Sequence, residues 1–339
     1  MSALSDVARM AGVSKATASR ALSGRGYVSA ETRDRVVAAA ATIGYVVSSN
    51  AASLVTGQTR NVGVVIPHIN RWYFGEILEG VESALIAAGY DLTLYRLSSD
   101  AAERRRVFEY FLVRKRVDAV IAVGIELTPH EVGLLHSLAK PIVGIGGPVE
   151  GIATLSIDDV GAAELITEHL LSLGHTRIMH VGGDQHEQMD FRVHEQRLRG
   201  FRRAMGAAGI AVGDDMFRAA SLSIPGGYAA GLSVLADPRF RPTAIAAGSD
   251  ELAIGIIIAA RQLGIQVPAQ LSVAGIDGHE LAEMFGLTTL SQDPNGQGAL
   301  AVDLIMAELR EPAQAAELRW RQYAVRLVVR GSTTAPPAP

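Results

Sequence analysis

The chain has 339 residues, of which 48% are hydrophobic, 5% aromatic and none cysteine, and its formal net charge is −4. This length predicts more than one domain with a hydrophobic core, and the lack of cysteine excludes disulfides, thiolate catalysis and cysteine-ligated metal centres. The longest apolar runs, such as 62–67 and 117–125, are far shorter than the ~20 residues of a membrane span, and no signal-peptide pattern is present, so we expect a cytoplasmic protein without membrane contact.

The first sixty residues differ from the rest in charge. They contain seven basic and three acidic residues, so this segment is positive while the remaining chain carries about −8. A small basic segment on an acidic body suits a polyanionic partner that is bound through that segment alone.

Three short helices are predicted in this basic segment, over residues 4–10, 15–22 and 30–43. Gly12 and Val13 form the turn between the first two helices, Ser14 is a suitable N-cap for the second, and Gly44 ends the third. Two short helices around a tight turn, supported by a third, form the outline of a helix-turn-helix domain, which we place at residues 1–47.

A polar segment follows at residues 48–60, where Leu54 and Val55 are the only bulky apolar residues. Its composition predicts a linker that cannot form its own core. The run 51–54 has enough helix propensity to become helical when another surface supports it.

Beyond the linker, apolar strand-like runs alternate with helical segments. Strands are predicted at 62–67, 91–97, 117–123, 141–146, 154–157, 177–182, 244–248, 271–276 and 287–291. Helices are predicted at 74–88, 101–115, 161–173, 198–208, 250–263 and 298–309. This alternation predicts parallel sheets covered on both faces, divided between two α/β lobes with a ligand cleft at the carboxyl ends of the strands.

We assign residues 61–330 to this body. The first lobe is expected at about 61–160 plus 292–320, and the second at about 161–291 plus 321–330. Residues 331–339 are rich in Thr, Ala and Pro, and we expect them to be disordered.

Several ordered motifs accompany this arrangement. The head contains LSDVARMAGVSKATASRALSG and VSAETRDRVVAAAATIGY, and the body contains SLVTGQTRNVGVVIP, HLLSLGHTRIMHVGG, RLRGFRRAM, RPTAIAAGSDELAIG and LSVAGIDG. In their order and spacing they resemble the LacI/GalR family of bacterial transcription regulators, from residue 3 to about residue 330. The resemblance implies an all-α helix-turn-helix head and a two-lobed, periplasmic-binding-protein-like α/β effector domain with parallel sheets.

In this family the second helix enters the major groove of DNA. Helical spacing places Val13, Ala18 and Leu22 on the buried side of the helix. The residues expected to contact DNA are Ser14, Lys15, Ala16, Thr17, Ser19 and Arg20. Basic side chains can donate to guanine O6 and N7, an alanine methyl can contact a thymine methyl, and hydroxyls can bond phosphates. The competing interpretation is an ordinary solvated helix face.

The resemblance also gives Leu54 a role as a wedge in the minor groove, on a linker that becomes helical on the operator beside its dimer mate. One departure concerns the start of this helix. The family commonly has Pro-Asn after Gly-Tyr, whereas this chain has Val-Val-Ser-Ser-Asn at 46–50, so Ser48 or Ser49 would be its cap.

Family effector positions, carried over one at a time, fall in the predicted cleft. They are Phe74, Gly146, Arg197, Leu222, Asp250, Asp277 and Gln292, with Asp158 and Arg192 as less certain neighbours and Tyr73 beside Phe74 as an additional contact. Carboxylates accept from paired hydroxyls, arginine donates in a fork and aromatic rings stack on a sugar face, so the set suits a polyol. Gly146 and Leu222 lack the charge or ring found in some sugar-responsive relatives, and Trp72 or Tyr73 would supply the stacking instead.

The resemblance therefore implies a repressor that binds a near-palindromic operator as a homodimer or dimer of dimers at the nucleoid, under the control of a carbohydrate effector. No cofactor or metal is expected. GIGGPVEG at 144–151 lacks the dinucleotide-loop spacing, His186 and His194 lack metal-ligand spacing, and residues 248–250 do not form a nucleophile elbow. The alternatives are a sugar-binding protein of the transport type, which lacks a helix-turn-helix, and an α/β enzyme acting on a sugar.

Overall fold

The three-dimensional structure is a computed structural model of the chain. It describes residues 4–24, 26–45, 58–98, 100–112, 117–137, 139–149, 151–184, 192–236, 241–311 and 320–337. No helix in these ranges is both long and apolar enough to cross a membrane. The expected boundaries between head, linker and body stay predictions, because residues 46–57 lie outside the described ranges.

The head consists of three helices, as expected. They are α1 (Leu4–Met10), α2 (Lys15–Ser23) and α3 (Ala30–Thr42). Small and β-branched side chains from all three helices fill a compact core, in which Val7, Ala18 and Val36 are fully buried. Val13 and Leu22, expected on the buried side, are half-buried at the edge of this core.

The body contains eight further α-helices among its described residues. They are α4 (Trp72–Ala88), α5 (Ala101–Arg105), α6 (Pro129–Ser137), α7 (Asp159–Ser172), α8 (Val193–Ala207), α9 (Ile224–Leu235), α10 (Asp250–Gln262) and α11 (Pro294–Arg310). A π-helical segment, Arg106–Leu112, continues α5. Two short 3-10 turns lie at Asp214–Met216 and Glu280–Ala282.

Among the described residues, twelve strands form two six-stranded sheets. The strands are β1 (Asn61–Ile66), β2 (Asp91–Arg96), β3 (Ala119–Val123), β4 (Ile142–Ile145), β5 (Ala153–Ser156), β6 (Ile178–Gly182), β7 (Phe217–Ala219), β8 (Ala244–Ala247), β9 (Ser272–Asp277), β10 (Thr288–Ser291), β11 (Trp320–Gln322) and β12 (Arg326–Val328). The first sheet has the order β11-β5-β4-β3-β1-β2, and the second has the order β12-β10-β9-β8-β6-β7.

Each sheet is the centre of one lobe. The central strands pair in parallel and are almost completely buried, as strands covered by helices on both faces must be, whereas β12 runs antiparallel to β10 at an edge. The chain passes between the sheets after β5, after β10 and again between β11 and β12. The parallel two-lobed architecture expected from the sequence is confirmed.

Two helices were absent from the sequence expectation, α6 and α9. The sequence of α9 is IPGGYAAGLSVL, and its glycines weaken any prediction of a helix. Those glycines serve the packing of α9 against α10. A Cβ added at Gly227 would lie 2.3 Å from the carbonyl oxygen of Leu252, and one at Gly255 would lie 2.2 Å from that of Ile224. The two backbones can therefore approach only because side chains are missing there.

The end of the chain corrects the expectation of a disordered tail from residue 331. Ser332 is buried, donates to the carbonyl oxygen of Val273 at 2.6 Å and accepts from the amide of Thr288 at 2.8 Å. The carbonyl oxygen of Thr334 pairs with Nε2 of the buried His175 at 2.8 Å. Small polar residues, which suggested disorder, here satisfy buried polar groups of the second lobe.

Candidate functional site

Helix α2 of the head has a defined beginning and end. Its N-cap, Ser14, has an extended backbone, and its Oγ accepts from the amide of Thr17 at 3.1 Å. Gly24 ends the helix in the left-handed region, with a φ of 69°. The cap satisfies a backbone amide of the first turn and the glycine ends the helix, so the helix presents a fixed set of side chains.

The two sides of α2 differ in burial. Ala18 and Ala21 pack into the head core, and Ala21 was not among the residues expected there. The exposed side chains of the helix and its cap are Ser14, Lys15, Ala16, Ser19, Arg20 and Ser23. Thr17 is half-buried, and its hydroxyl lies 2.8 Å from that of Ser14. The exposed side therefore carries two cations, a methyl and hydroxyls, as the sequence predicted. Leu54, the expected wedge, lies outside the described residues.

In the body, a cavity of about 180 Å³ lies between the lobes, where the strands of both sheets have their carboxyl ends. The expected effector residues that line it are Tyr73, Phe74, Gly146, Arg197, Leu222, Asp277 and Gln292. The structure therefore brings together most of the residues that the sequence placed in a cleft. Phe74 and Tyr73 meet edge to face, with ring centroids 5.3 Å apart, so they form an aromatic wall.

Arg197 forms a buried ion pair at this cavity. Its Nε donates to Oδ1 of Asp159 at 2.8 Å, and its Nη1 donates to the carbonyl oxygen of Gly248. Burial opposes the charge of the guanidinium, but the carboxylates of Asp159 and Asp277 raise the pKa of Arg197 above its ordinary value. The guanidinium is therefore held in one orientation as a permanent cation.

Asp277 lies at the end of β9 with a φ of 137°, a conformation that side-chain-bearing residues rarely adopt. Its Oδ1 accepts from Nε2 of Gln292 at 2.7 Å. Burial raises the pKa of Asp277; the charge of Arg197 opposes this rise and the carboxyl of Asp250 adds to it. The group is thus a buried carboxyl that takes up a proton more readily than an ordinary aspartate.

Asp250, expected as a direct effector ligand, is not among the residues that line the cavity. It is fully buried, and its Oδ2 accepts from the amides of Gly278 and His279 at 2.9 and 2.8 Å. The hydroxyl of Thr289 donates to the same carboxylate at 2.7 Å. These bonds hold the turn that follows Asp277. Asp250 therefore supports the position of a cavity-lining residue without lining the cavity itself.

Three other expected residues also lie away from the cavity lining. The side chain of Arg192 is 72% exposed, and its Nη1 lies 3.8 Å from Oε2 of Glu195. Asp158 caps α7 by accepting from the amide of Gly161 at 3.0 Å. Trp72, proposed as a stacking ring, instead stacks on His279.

The cavity also contains polar residues that sequence reasoning missed. They are His68, Arg71, Asp159, Ser221, Ser249, Glu251 and Gln297. Several of them follow strands directly, and the rule that ligands bind at the carboxyl ends of parallel strands would have selected His68, Ser221 and Ser249. His194, which was expected near the cleft mouth, is buried against the cavity. His186 lies outside the described residues.

The chemistry of this cavity is that of a binding site with aromatic and hydrogen-bonding walls. Burial raises the pKa of Tyr73, and the nearby carboxylates of Asp159 and Asp277 raise it further, so its phenol remains a neutral donor. In the part of the chain that the structure describes, no group of three histidine or acidic side chains is arranged to hold a metal ion.

Comparisons with known proteins agree with this division into head and body. Residues 3–48 match the model of bacterial regulatory proteins of the lacI family, and residues 167–333 match that of the periplasmic binding protein-like domain. The chain is 31% identical over 321 residues to the HTH-type transcriptional repressor PurR of Vibrio campbellii, covering 92% of this chain and 93% of that repressor.

It is also 31% identical over 317 residues to the ribose operon repressor of Escherichia coli (strain K12), covering 92% of this chain and 94% of that protein. Among solved structures, a LacI family transcriptional regulator from Enterococcus faecium with bound ribose superposes with a TM-score of 0.71. That match has 25% identity and covers 81% of this chain and 99% of the other.

Proposed function

The chain belongs to the lacI family of bacterial regulatory proteins, and from this we propose that it is a sequence-specific repressor whose operator affinity a small molecule controls. The observation that carries the proposal is the coexistence of a capped helix with an exposed basic face and a buried polar cavity in one chain. A sugar-binding protein of the transport type would need only the cavity. The presence of the helix-turn-helix head therefore favours the function of a repressor over that of a transport protein.

Helix α2 would lie in the major groove of the operator. Lys15 and Arg20 would donate to guanine, Ala16 would contact a thymine methyl, and Thr17 and Ser19 would bond phosphates. Support comes from the exposure of the two cations and from the contact of Arg20 Nε with the carbonyl oxygen of Ala16 at 3.3 Å, which keeps the guanidinium along the helix.

A second copy of the chain would bind the other half of the operator. Two heads related by a two-fold axis require a near-palindromic DNA site, with half-sites about one helical turn apart or a multiple of it. In this arrangement Leu54 would enter the minor groove between the half-sites.

The effector would be a carbohydrate. Ligand pockets for drug-sized molecules have volumes of roughly 300–1,000 Å³, and the cavity here is smaller, at about 180 Å³. The aromatic wall of Tyr73 and Phe74 would face a sugar ring, while Arg197, Asp277 and Gln292 would bond its hydroxyls. The relatives named above include a ribose operon repressor and a regulator with bound ribose, which supports this class of ligand.

Control would operate by linkage between the two sites. A ligand that prefers one arrangement of the lobes shifts the population of that arrangement, and the spacing of the paired heads shifts with it. Such coupling typically changes operator affinity by ~1–3 kcal/mol. The protein would act by binding alone, without catalysis, in the cytoplasm at the nucleoid.

The DNA part is tested on a duplex selected from a random library by the purified full-length protein. Fluorescence anisotropy then compares the wild type with Arg20→Ala, using Arg9→Ala as the control, because Arg9 is an exposed head arginine paired with Asp6 on α1. We expect Arg20→Ala to lose at least about tenfold in affinity for the selected duplex, and the control to change little. Equal binding by both variants would remove α2 from base recognition.

The effector part is tested by repeating the titration in the presence of pentoses, hexoses, disaccharides and sugar phosphates. A sugar that changes operator affinity in the wild type but not in Arg197→Ala identifies both the class of ligand and the site. If no carbohydrate changes operator affinity while the DNA titration succeeds, the sugar assignment is wrong and the repressor assignment stands.

A further inference from the structure

The N-terminus of α4 places two large side chains, those of its N-cap Arg71 and its first residue Trp72, against the opposite lobe. Arg71 occupies the N-cap position of α4 with an extended backbone, yet its side chain makes no capping bond to the helix. Its guanidinium reaches the second lobe instead. The neighbouring Trp72 does the same at another loop of that lobe, so one short segment makes two separate contacts across the cleft.

The contact of Arg71 is a fork of hydrogen bonds. Its Nη1 donates to the carbonyl oxygen of Leu222 at 2.5 Å, and its Nη2 lies 3.3 Å from Oγ of Ser221. Glu251 of the second lobe adds an electrostatic attraction: burial raises the pKa of this carboxyl, and the charge of Arg71 opposes that rise. A cation bound to a backbone carbonyl and attracted by a carboxylate forms a stronger bridge than a neutral pair would.

The contact of Trp72 is a stack. Its ring lies nearly parallel to that of His279, with centroids 4.5 Å apart and an interplanar angle of 25°. The imidazole is fixed because its Nδ1 accepts from the amide of Leu281 at 3.0 Å. The indole Nε1 of Trp72 is buried without a hydrogen-bond partner in the described structure. Because this buried donor has no acceptor, the stacked arrangement is less stable than it would otherwise be, and the contact between Trp72 and His279 can open.

The bridge made by Arg71 also bounds the cavity. Arg71, Ser221 and Leu222 all line it, so the contact between them closes one side of the space left for a ligand. Removing the guanidinium would join the cavity to the cleft mouth. The small volume of the cavity therefore depends on an interaction between the lobes as well as on the side chains that face a ligand.

We propose that Arg71 and Trp72 form a clasp across the cleft, which holds the lobes together before a ligand binds and limits the effector to about one sugar ring. The limit on ligand size rests on the proposed function, whereas the holding of the lobes does not. A one-ring ligand enters a site whose closed arrangement is already populated, and this raises its apparent affinity. A two-ring ligand must first break the clasp, so Arg71 determines specificity.

The first measurement needs no ligand. Because the chain has no cysteine, Glu126→Cys and Met284→Cys, at exposed positions of the two lobes, accept spin labels at these two sites only. Double electron–electron resonance spectroscopy then measures the distance between the two spin labels, and hence between the lobes. We expect Arg71→Ala and Trp72→Ala to broaden this distribution towards longer distances. The control Arg96→Ala, an exposed arginine on β2 whose Nη2 lies 3.8 Å from Glu103, should leave it unchanged.

The second measurement compares ribose with cellobiose by calorimetry. We expect Arg71→Ala to raise the affinity for the two-ring sugar relative to the one-ring sugar by about tenfold, as the loss of one charge-assisted contact allows. Arg71→Gln keeps much of the side-chain length without the charge. It should give a smaller shift in the same direction, and it replaces the alanine variant if that fails to fold.

A distance distribution in both alanine variants that matches the wild type and the Arg96→Ala control would overturn the clasp. An unchanged ratio of the two sugar affinities would overturn the limit on ligand size. If the wild type binds neither sugar, the carbohydrate assignment fails, but the distance measurement still decides whether the clasp exists.

Discussion

Replacing Asp250 by alanine separates a residue that supports the effector site from one that touches the effector. The carboxylate accepts two backbone amides and one hydroxyl, from Gly278, His279 and Thr289, and it is fully buried. Alanine would leave the amide of His279 without this acceptor, whereas the amide of Gly278 keeps a second acceptor, the hydroxyl of Thr289 at 3.2 Å. One unsatisfied buried donor costs about 1–3 kcal/mol, and the loss of the other two bonds to the carboxylate costs about 0.5–1.5 kcal/mol each, so the loss would reach about 2–6 kcal/mol. Burial raises the pKa of Asp250, a sign that desolvation already opposes its charge. We therefore expect a value near the lower limit, about 2–3 kcal/mol.

The asparagine variant is the matched control. Its amide oxygen keeps the bonds from Gly278 and His279, and its amide nitrogen can donate to the hydroxyl of Thr289, so only the charge is removed. We expect Asp250→Asn to stay within about 1 kcal/mol of the wild type. Effector affinity should fall in Asp250→Ala and stay close to the wild-type value in Asp250→Asn. The reason is that Asp277 has a rare backbone conformation, which persists only while the surrounding bonds hold it.

Urea unfolding and effector titration of the three proteins measure both quantities. If Asp250→Ala unfolds at the same urea concentration as the wild type, the carboxylate does not stabilise this turn. If that variant in addition no longer binds effector, Asp250 is a direct ligand, as the sequence predicted.

Three further predictions concern pH, packing and capping. Because burial raises the pKa of Asp277, the folded protein keeps a proton that the unfolded chain releases. The free energy of unfolding should therefore decrease from about pH 5 to about pH 8, and it should decrease less in Asp277→Asn. Urea unfolding at both pH values measures this difference. Gly255→Ala should lower the melting temperature by several degrees in calorimetry, because its Cβ would lie 2.2 Å from the carbonyl oxygen of Ile224. Ser14→Ala should destabilise the head by about 1 kcal/mol in urea unfolding followed by circular dichroism, because the amide of Thr17 loses its cap, whereas an unchanged transition would contradict this role.

Local sequence patterns were sufficient to predict most of the fold. Capping residues such as Ser14 and Gly44 delimit the head helices, and apolar runs mark the buried strands, because both signals act over a few residues. Helix α9 was missed because its glycines are explained only by α10, which comes later in the chain. The ordered tail was missed for the same reason, since its partner His175 lies far away in sequence.

The candidate site shows the same limit. Arg197 and Asp277 were found because family motifs mark them, and both line the cavity. Asp250 has an equally strong motif, but its role depends on which backbone amides face it, and a one-dimensional pattern does not contain that information. Arg71 carries no local signal, because its partners belong to the other lobe.

The interleaving of the two lobes along the chain has a consequence for the order in which the protein is made. The first sheet needs β11, and its helical cover needs α11, yet both are synthesised after every strand of the second sheet except β12. The first lobe thus waits, with β5 lacking one neighbour, until the ribosome has passed residue 322. Contacts so distant in sequence form slowly, and an unpaired strand edge is prone to wrong association. The nascent chain is therefore most prone to wrong association while its second lobe is being synthesised. Because the chain crosses between the sheets three times, both lobes are completed together, after the last segments have been made.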